Sequence, residues 1–125
     1  MSELRSVLES LRSEVLSELP DARIEEDFCE LHAAMEQLEV ERLRRLAEID
    51  ARGVFSRDGY LSAASWLVGR LRIAWGAARD QVRMARGLNQ MPLTQEALEA
   101  GEVSLSAARL LVLAHRGRTR GLRRS

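Results

Sequence analysis

Cysteine, lysine and aromatic residues are scarce in this sequence of 125 residues. It holds one cysteine and no lysine, and aromatic residues make up 4% of the chain. A lone cysteine, Cys29, cannot form a disulfide within the chain, which excludes a disulfide-stabilised scaffold. The first residues carry no recognisable secretion signal, so we expect a protein of the reducing cytoplasm. The all-arginine set of 19 basic residues fits a GC-rich genome as well as a surface that holds phosphates.

Long hydrophobic runs are missing as well. The longest, from Leu110 to Ala114, is far shorter than the ~20 residues that span a bilayer, so composition excludes an integral membrane protein. Leu, Ile, Val and Phe make up about a quarter of the chain, above the roughly 20% below which disorder is expected. The length favours one domain with a core of its own.

Charge is balanced in total but not along the chain. Residues 1–50 hold 14 acids and 6 arginines, whereas residues 51–125 hold 5 acids and 13 arginines. A basic half beside an acidic half indicates either a surface that faces nucleic acid or two segments that attract each other within the fold.

Apolar residues recur at helical spacing through most of the chain, and no segment shows the two-residue period of a strand. This pattern predicts an all-α protein. An amphipathic helix over residues 3–19 ends at Pro20, and a second helix continues to about residue 51, with Gly53 as its cap. We expect these two helices to form a long antiparallel helical hairpin, packed with a cluster of shorter helices over about residues 62–115.

A four-three repeat of apolar residues marks the second helix. This repeat is typical of a seam along which one helix packs lengthwise against another. Either the first helix or a second copy of the protein would cover it, so the sequence predicts a candidate homodimer through the long helix. The seam consists of Ile24, Phe28, Leu31, Met35 and Leu38.

Two segments are candidate helix-turn-helix units, in which a second helix enters the major groove of DNA. Residues 97–104 give the better turn, whereas the unit that begins at Ser62 and turns at Gly69 gives the better arginine face. Arginines at spacings of seven, four and three would lie on one side of its second helix and hold phosphates of duplex DNA. The alternative is a solvated face, or one docked on the acidic long helix. The candidate DNA-backbone residues are Arg72, Arg79, Arg83 and Arg86.

Metal-binding and catalytic motifs are weak or missing. Cys29 and His32 lie three residues apart with Glu25 and Glu36 one turn to either side, but the other histidine, His115, is distant in sequence. We therefore interpret the pair as a small buried thiol beside a surface histidine rather than as a zinc site. Because no phosphate-binding glycine loop or nucleophile motif occurs, we expect no metal, no cofactor and no small-molecule substrate.

The composition changes after His115. Residues 116–125 contain five arginines and no acid, which predicts a disordered, Arg/Gly-rich basic tail after a single helical domain over residues 1–115. The tail either adds non-specific phosphate contacts or has no role.

The middle of the chain resembles a known family over roughly residues 20–114. Three runs and an alanine-rich helix that ends at Ala85-Arg-Gly-Leu88 carry the resemblance. The runs are Gly59-Tyr-Leu-Ser-Ala-Ala-Ser-Trp-Leu67, Met91-Pro-Leu-Thr94 and Ala97-Leu-Glu-Ala-Gly-Glu-Val-Ser104. They are similar to the actinobacterial 13E12-repeat family, whose shared region is a domain of unknown function, number 222, commonly followed by an HNH endonuclease domain. The resemblance implies an association with DNA processing in a mobile or repeated genetic element.

The nuclease itself is not expected in this chain. An HNH site needs His and Asn residues around a metal, whereas the sequence has two distant histidines and one asparagine, Asn89. The chain thus looks truncated before the nuclease, and we expect a non-catalytic, DNA-associated accessory region of an HNH endonuclease or mobile-element protein. The alternatives are a helical dimerisation module built on the seam and a truncated remnant without function.

Overall fold

The structure is a computed structural model that describes the backbone of residues 2–124 and the side chains of residues 2–115. Within that part the chain forms six α-helices and no strand, which confirms the all-α class. Two short 3-10 helices, Leu16–Glu18 and Val54–Asp58, lie between them. The α-helices are α1 Ser2–Ser13, α2 Asp21–Arg52, α3 Ala63–Leu71, α4 Trp75–Asn89, α5 Pro92–Glu99 and α6 Leu105–Arg124.

Internal contacts divide the chain into two compact units, residues 1–33 and residues 34–125, with the boundary inside α2. A single helical domain over residues 1–115 stays a prediction. The two units differ in burial: no described residue of the first unit is buried, whereas every core residue belongs to the second.

The first unit contains α1 and the beginning of α2. The prediction of a first helix over residues 3–19 is wrong at its end, because α1 stops at Ser13 and the 3-10 helix Leu16–Glu18 follows. The carbonyl of Pro20 accepts the N–H of Arg23 at 3.0 Å, so α2 starts directly after the proline. Arg23 also lies 3.8 Å from Glu14, across the connection. The structure contains the two helices of the predicted hairpin. No residue of α1 is buried, so the lengthwise packing of the two helices stays a prediction.

The second unit is built around α4, which packs against α3, α5 and α6. Small residues on α4 allow this close approach, and Gly87 lies so near Val112 of α6 that a Cβ there would overlap the valine side chain. The core consists of Val40, Leu43, Leu46, Ala63, Ala64, Leu67, Ala78, Val82, Ala85, Leu88, Leu98, Ala108 and Val112.

Two polar side chains of α2 hold the ends of later helices. Gln37 Nε2 donates to the carbonyl of Leu98 at 2.9 Å, and Glu36 Oε1 accepts the N–H of Leu105 at 3.2 Å. Both bonds satisfy backbone groups that a helix end leaves without a partner. They fix the C-terminal end of α5 and the N-terminal end of α6 to the middle of α2.

The last helix runs further than the sequence suggests. A disordered tail is predicted from residue 116, whereas the backbone continues as α6 to Arg124. Arginine is a good helix former and is favoured near a helix C-terminus, and no proline interrupts the stretch. The side chains of residues 116–125, and with them the predicted tail contacts to phosphate, lie outside the described part of the chain.

Candidate nucleic-acid interface

The helix-turn-helix unit around α3 and α4 begins at Ser62, as predicted. The Ser62 hydroxyl accepts the N–H of Ser65 at 3.1 Å, and the Ser65 hydroxyl accepts the N–H of Ser62 at 3.1 Å. This reciprocal capping box satisfies backbone donors at the start of α3. The cap fixes the residue at which α3 starts.

The chain does not turn at Gly69, where the sequence analysis placed the reversal. Gly69 is helical and lies against the ring of Tyr60, where any Cβ would overlap the phenol. The helix continues to Leu71 and ends at Arg72, which adopts the left-handed region (φ +57°) and donates its N–H to the carbonyl of Leu67. The glycine therefore serves close packing, and the reversal occurs over residues 72–74.

Arg72 consequently lies in the turn and not on the face of α4 to which its spacing assigned it. Since α4 begins at Trp75, the seven residues from Arg72 to Arg79 do not correspond to two turns of one helix. Three of the four candidate arginines remain on one side of α4, at spacings of four and three. They are Arg79, Arg83 and Arg86.

Arg86 is engaged within the fold. Its Nε and Nη2 atoms donate to the two carboxylate oxygens of Asp50 in α2 at 2.7 and 2.8 Å. This hydrogen bond is the main cause that lowers the pKa of Asp50 and raises the pKa of Arg86. The Asp50 side chain is only 17% exposed, so moving Arg86 to a phosphate would leave a poorly hydrated carboxylate unpaired. For this arginine the structure favours docking on the acidic long helix.

Arg83 is partly balanced by a carboxylate. Its guanidinium lies 3.7 Å from Asp80, and Arg109 of α6 lies 3.4 Å from the same carboxylate. Exposed ion pairs of this kind are weak, so both arginines stay accessible to a ligand. The carboxylate of Asp80 neutralises part of their combined charge. Arg109 belongs to the second helix-turn-helix unit, α5 and α6, whose turn contains the expected glycine, Gly101, at φ +76°.

Three other arginines around the α3–α4 turn form no ion pair or hydrogen bond with any described residue, and all three are exposed. Arg70 lies in the last turn of α3, Arg72 in the reversal and Arg79 in the second turn of α4. We call them the basic turn. Arg72 and Arg79 are among the predicted DNA-backbone residues, whereas Arg70 is not. Sequence spacing does not single out Arg70, because which arginines stay unpaired depends on carboxylates that are distant in sequence.

The N-terminal end of α4 opens beside the basic turn. Its N-cap residue, Ala74, provides no side-chain cap, and the first N–H to find a carbonyl is that of Ala78. Among the described residues, the N–H groups of residues 75–77 therefore have no partner, and the positive end of the helix dipole adds to the arginine charge. Trp75 begins the helix and is 50% exposed. No sequence motif singles out this tryptophan as a functional residue.

The seam of α2 is the second candidate surface. Its five residues are between 38% and 71% exposed, so the described residues of the chain leave most of the strip uncovered. Acidic residues such as Glu25, Asp27 and Glu39 border it. The strip consists of Ile24, Phe28, Leu31, Met35 and Leu38.

The remaining candidates offer less. Cys29 is exposed rather than buried as expected, and no residue of α2 before Val40 is buried. Among the side chains that the structure describes, no group of three His, Cys, Asp or Glu residues is arranged to hold a metal ion. In the same part of the chain, no helix combines the length and the apolar character needed to cross a membrane.

A groove of about 430 Å³ lies between α2, α4 and α5. Its charged lining residues, Arg44, Arg45 and Glu48, are each paired with a neighbouring charge of α2. The groove thus presents no unpaired charge that would fix the orientation of a small ligand.

Comparison with known proteins gives one match. The family model of a domain of unknown function, DUF222, matches residues 25–121. No curated protein and no solved structure matches the chain. The match covers α2 except its first four residues and continues to residue 121 in α6. It includes the basic turn and, apart from Ile24, the seam.

Proposed function

The chain belongs to the DUF222 family of domains of unknown function, and from its own surface we propose that it is a DNA-associated domain that holds phosphates with the basic turn. The observation that carries this proposal is the set of three exposed, unpaired arginines beside the open N-terminal end of α4. The proposal assigns the described residues a binding role and no catalytic one.

Free guanidinium groups suit this role because each phosphate contact releases condensed counterions from DNA. The logarithm of the affinity then falls with the logarithm of the salt concentration, with a slope of about −0.9 per phosphate. Arg70, Arg72 and Arg79 can supply three such contacts without breaking an ion pair of the fold. Contacts of this type fix position and orientation but do not read sequence.

The proposal also includes the setting that the family resemblance implies. The domain would serve as an accessory region of a cytoplasmic HNH endonuclease or mobile-element protein, holding DNA while a nuclease domain supplied by other sequence cuts it. The exposed arginines support the DNA part of this statement.

A fluorescence-anisotropy titration of the protein into labelled duplex DNA, at low and near-physiological salt, tests the proposal. The triple variant Arg70→Gln, Arg72→Gln, Arg79→Gln is expected to lose most of the affinity, and its salt slope should flatten by about 3. Arg44→Gln, Arg45→Gln, Arg52→Gln removes the same charge from arginines that are paired on α2 and is the matched control.

Equal losses in both triple variants would mean that net charge alone attracts DNA, which contradicts the proposal. A variant without residues 116–125 separates the basic turn from the C-terminal arginines. Binding that survives the loss of the basic turn but disappears with those residues would also contradict it.

The exposed seam favours a second candidate function, a helical interaction module. Five large apolar side chains on one strip of α2 form the kind of surface that helix partners cover. The partner in this proposal is a second copy of the chain, joined through the long helix. Such a module would associate with a second copy in the absence of DNA. The salt dependence of this self-association therefore distinguishes it from the DNA-binding function proposed first.

A further inference from the structure

One of the two tryptophans lies on the surface beside the basic turn. Trp66 packs against the core of the second unit, whereas Trp75 stays half-exposed as the first residue of α4. An indole ring has a large apolar face and is usually well buried. The structure therefore leaves an aromatic face in solvent at the site where the unpaired arginines lie.

The positions of its neighbours are set by helix geometry. Arg79 follows Trp75 by four residues, so the two side chains share one face of α4. Arg72 precedes the ring across the turn, and a side chain added at Gly76 would meet nothing within 4 Å. The first turn of α4 thus presents an exposed aromatic ring. The unpaired guanidinium of Arg72 precedes this ring in the chain, and that of Arg79 follows it.

Aromatic rings and arginines in this combination are what proteins use for single-stranded nucleic acid. The arginines follow the phosphates while a base stacks on the ring, and any base can do so because every base has a π-face. In a duplex those faces are hidden between neighbouring base pairs. Bound phosphate alone would make no use of an indole.

We propose that Trp75 is a stacking platform for an unpaired base, so that the basic turn binds single-stranded DNA in preference to duplex. This inference rests on the proposed function and names the form of DNA that the same site selects. Trp75 contributes the preference between the two forms, and Arg70, Arg72 and Arg79 contribute the attraction common to both.

The intrinsic fluorescence of Trp75 reports on stacking directly. In the Trp66→Phe variant Trp75 is the single tryptophan, and titration with an oligothymidine strand is expected to quench its emission as binding saturates. A duplex of the same length, titrated at the same salt, should produce little quenching. Anisotropy of labelled single-stranded and duplex DNA, measured in parallel, reports binding independently of the ring.

Trp75→Ala should lower the affinity for the single strand by about tenfold or more and leave the duplex affinity nearly unchanged. Trp75→Phe should retain part of the preference because its smaller ring still stacks. Thermal unfolding of both variants, monitored by circular dichroism, verifies that the fold is intact.

The outcomes separate the inference from the proposal beneath it. Suppose that duplex binding depends on the basic turn, but that wild type and Trp75→Ala bind the single strand with equal affinity. This result would overturn the stacking role and leave the proposed function standing. Absence of binding to both forms of DNA would overturn both.

Discussion

Gly87 and Gly76 lie in the same helix, α4, and differ in what a side chain would meet. A Cβ on Gly87 would overlap Val112, whereas one on Gly76 would meet nothing within 4 Å. Glycine lowers the stability of a helix by roughly 1 kcal/mol relative to alanine. Alanine therefore stabilises the helix at a position where its Cβ has room. Val112 is buried and β-branched, and its side chain cannot easily rotate out of the way.

The two substitutions are therefore expected to change stability in opposite directions. Gly87→Ala should lower the free energy of unfolding by about 1–3 kcal/mol through overpacking, and Gly76→Ala should raise it by up to about 1 kcal/mol. Urea denaturation followed by circular dichroism measures both. A Gly87→Ala protein as stable as the wild type would contradict the close packing of α4 on α6.

The long helix α2 presents two different surfaces along its length. Val40, Leu43 and Leu46 in its second half belong to the core, whereas the seam in its first half is exposed. Residues 21–41 contain eight acids and one arginine, so two copies joined along the seam would bring many carboxylates together. Hydrophobic attraction and charge repulsion oppose each other there, and repulsion is the one that salt screens.

Self-association through the seam should consequently strengthen as salt rises, opposite to the behaviour expected for DNA binding. Phe28→Gln combined with Met35→Gln should abolish it. Leu61→Gln combined with Leu93→Gln changes exposed apolar residues away from the seam and serves as the control. Light scattering coupled to size exclusion at several salt concentrations checks this, and a monomer under all conditions would rule out the homodimer.

Charge separates by unit across the whole molecule. Residues 1–33 hold nine acids and three arginines, whereas residues 34–125 hold ten acids and sixteen arginines. The arginines of the second unit favour the approach of DNA to the protein, and the carboxylates of the first oppose it. The repulsion extends over roughly 30 Å at 0.01 M salt and about 8 Å at physiological ionic strength.

Neutralising acids of the first unit should therefore raise DNA affinity at low salt. The variant Glu25→Gln, Glu26→Gln, Glu30→Gln is expected to bind severalfold more tightly at low salt and no more tightly near physiological salt. Glu→Asp changes at the same positions keep the charge and are the control. Anisotropy titrations measure the effect, and equal low-salt affinities for the two variants would exclude a long-range influence of the first unit.

Local interactions account for much of what could be read from the residues in order. Pro20 lies between α1 and α2 because proline lacks the N–H that a helix interior needs. Ser62 begins α3 through bonds within four residues, and the four-three repeat on α2 describes one helix face. Such features depend on neighbours in sequence, so the all-α class and most helices could be predicted without a structure.

Contacts between distant residues account for the rest. Gly69 is a residue type typical of turns, yet it is helical, and Tyr60 occupies the space where its Cβ would lie. Arg79 and Arg86 have the same spacing pattern on α4, yet Arg86 meets Asp50 across 36 positions and Arg79 meets no carboxylate. Sequence spacing places a side chain on a helix face, whereas its pairing and exposure depend on which other helix packs there. For that reason the free basic turn and the open face of Trp75 became visible only in the folded chain.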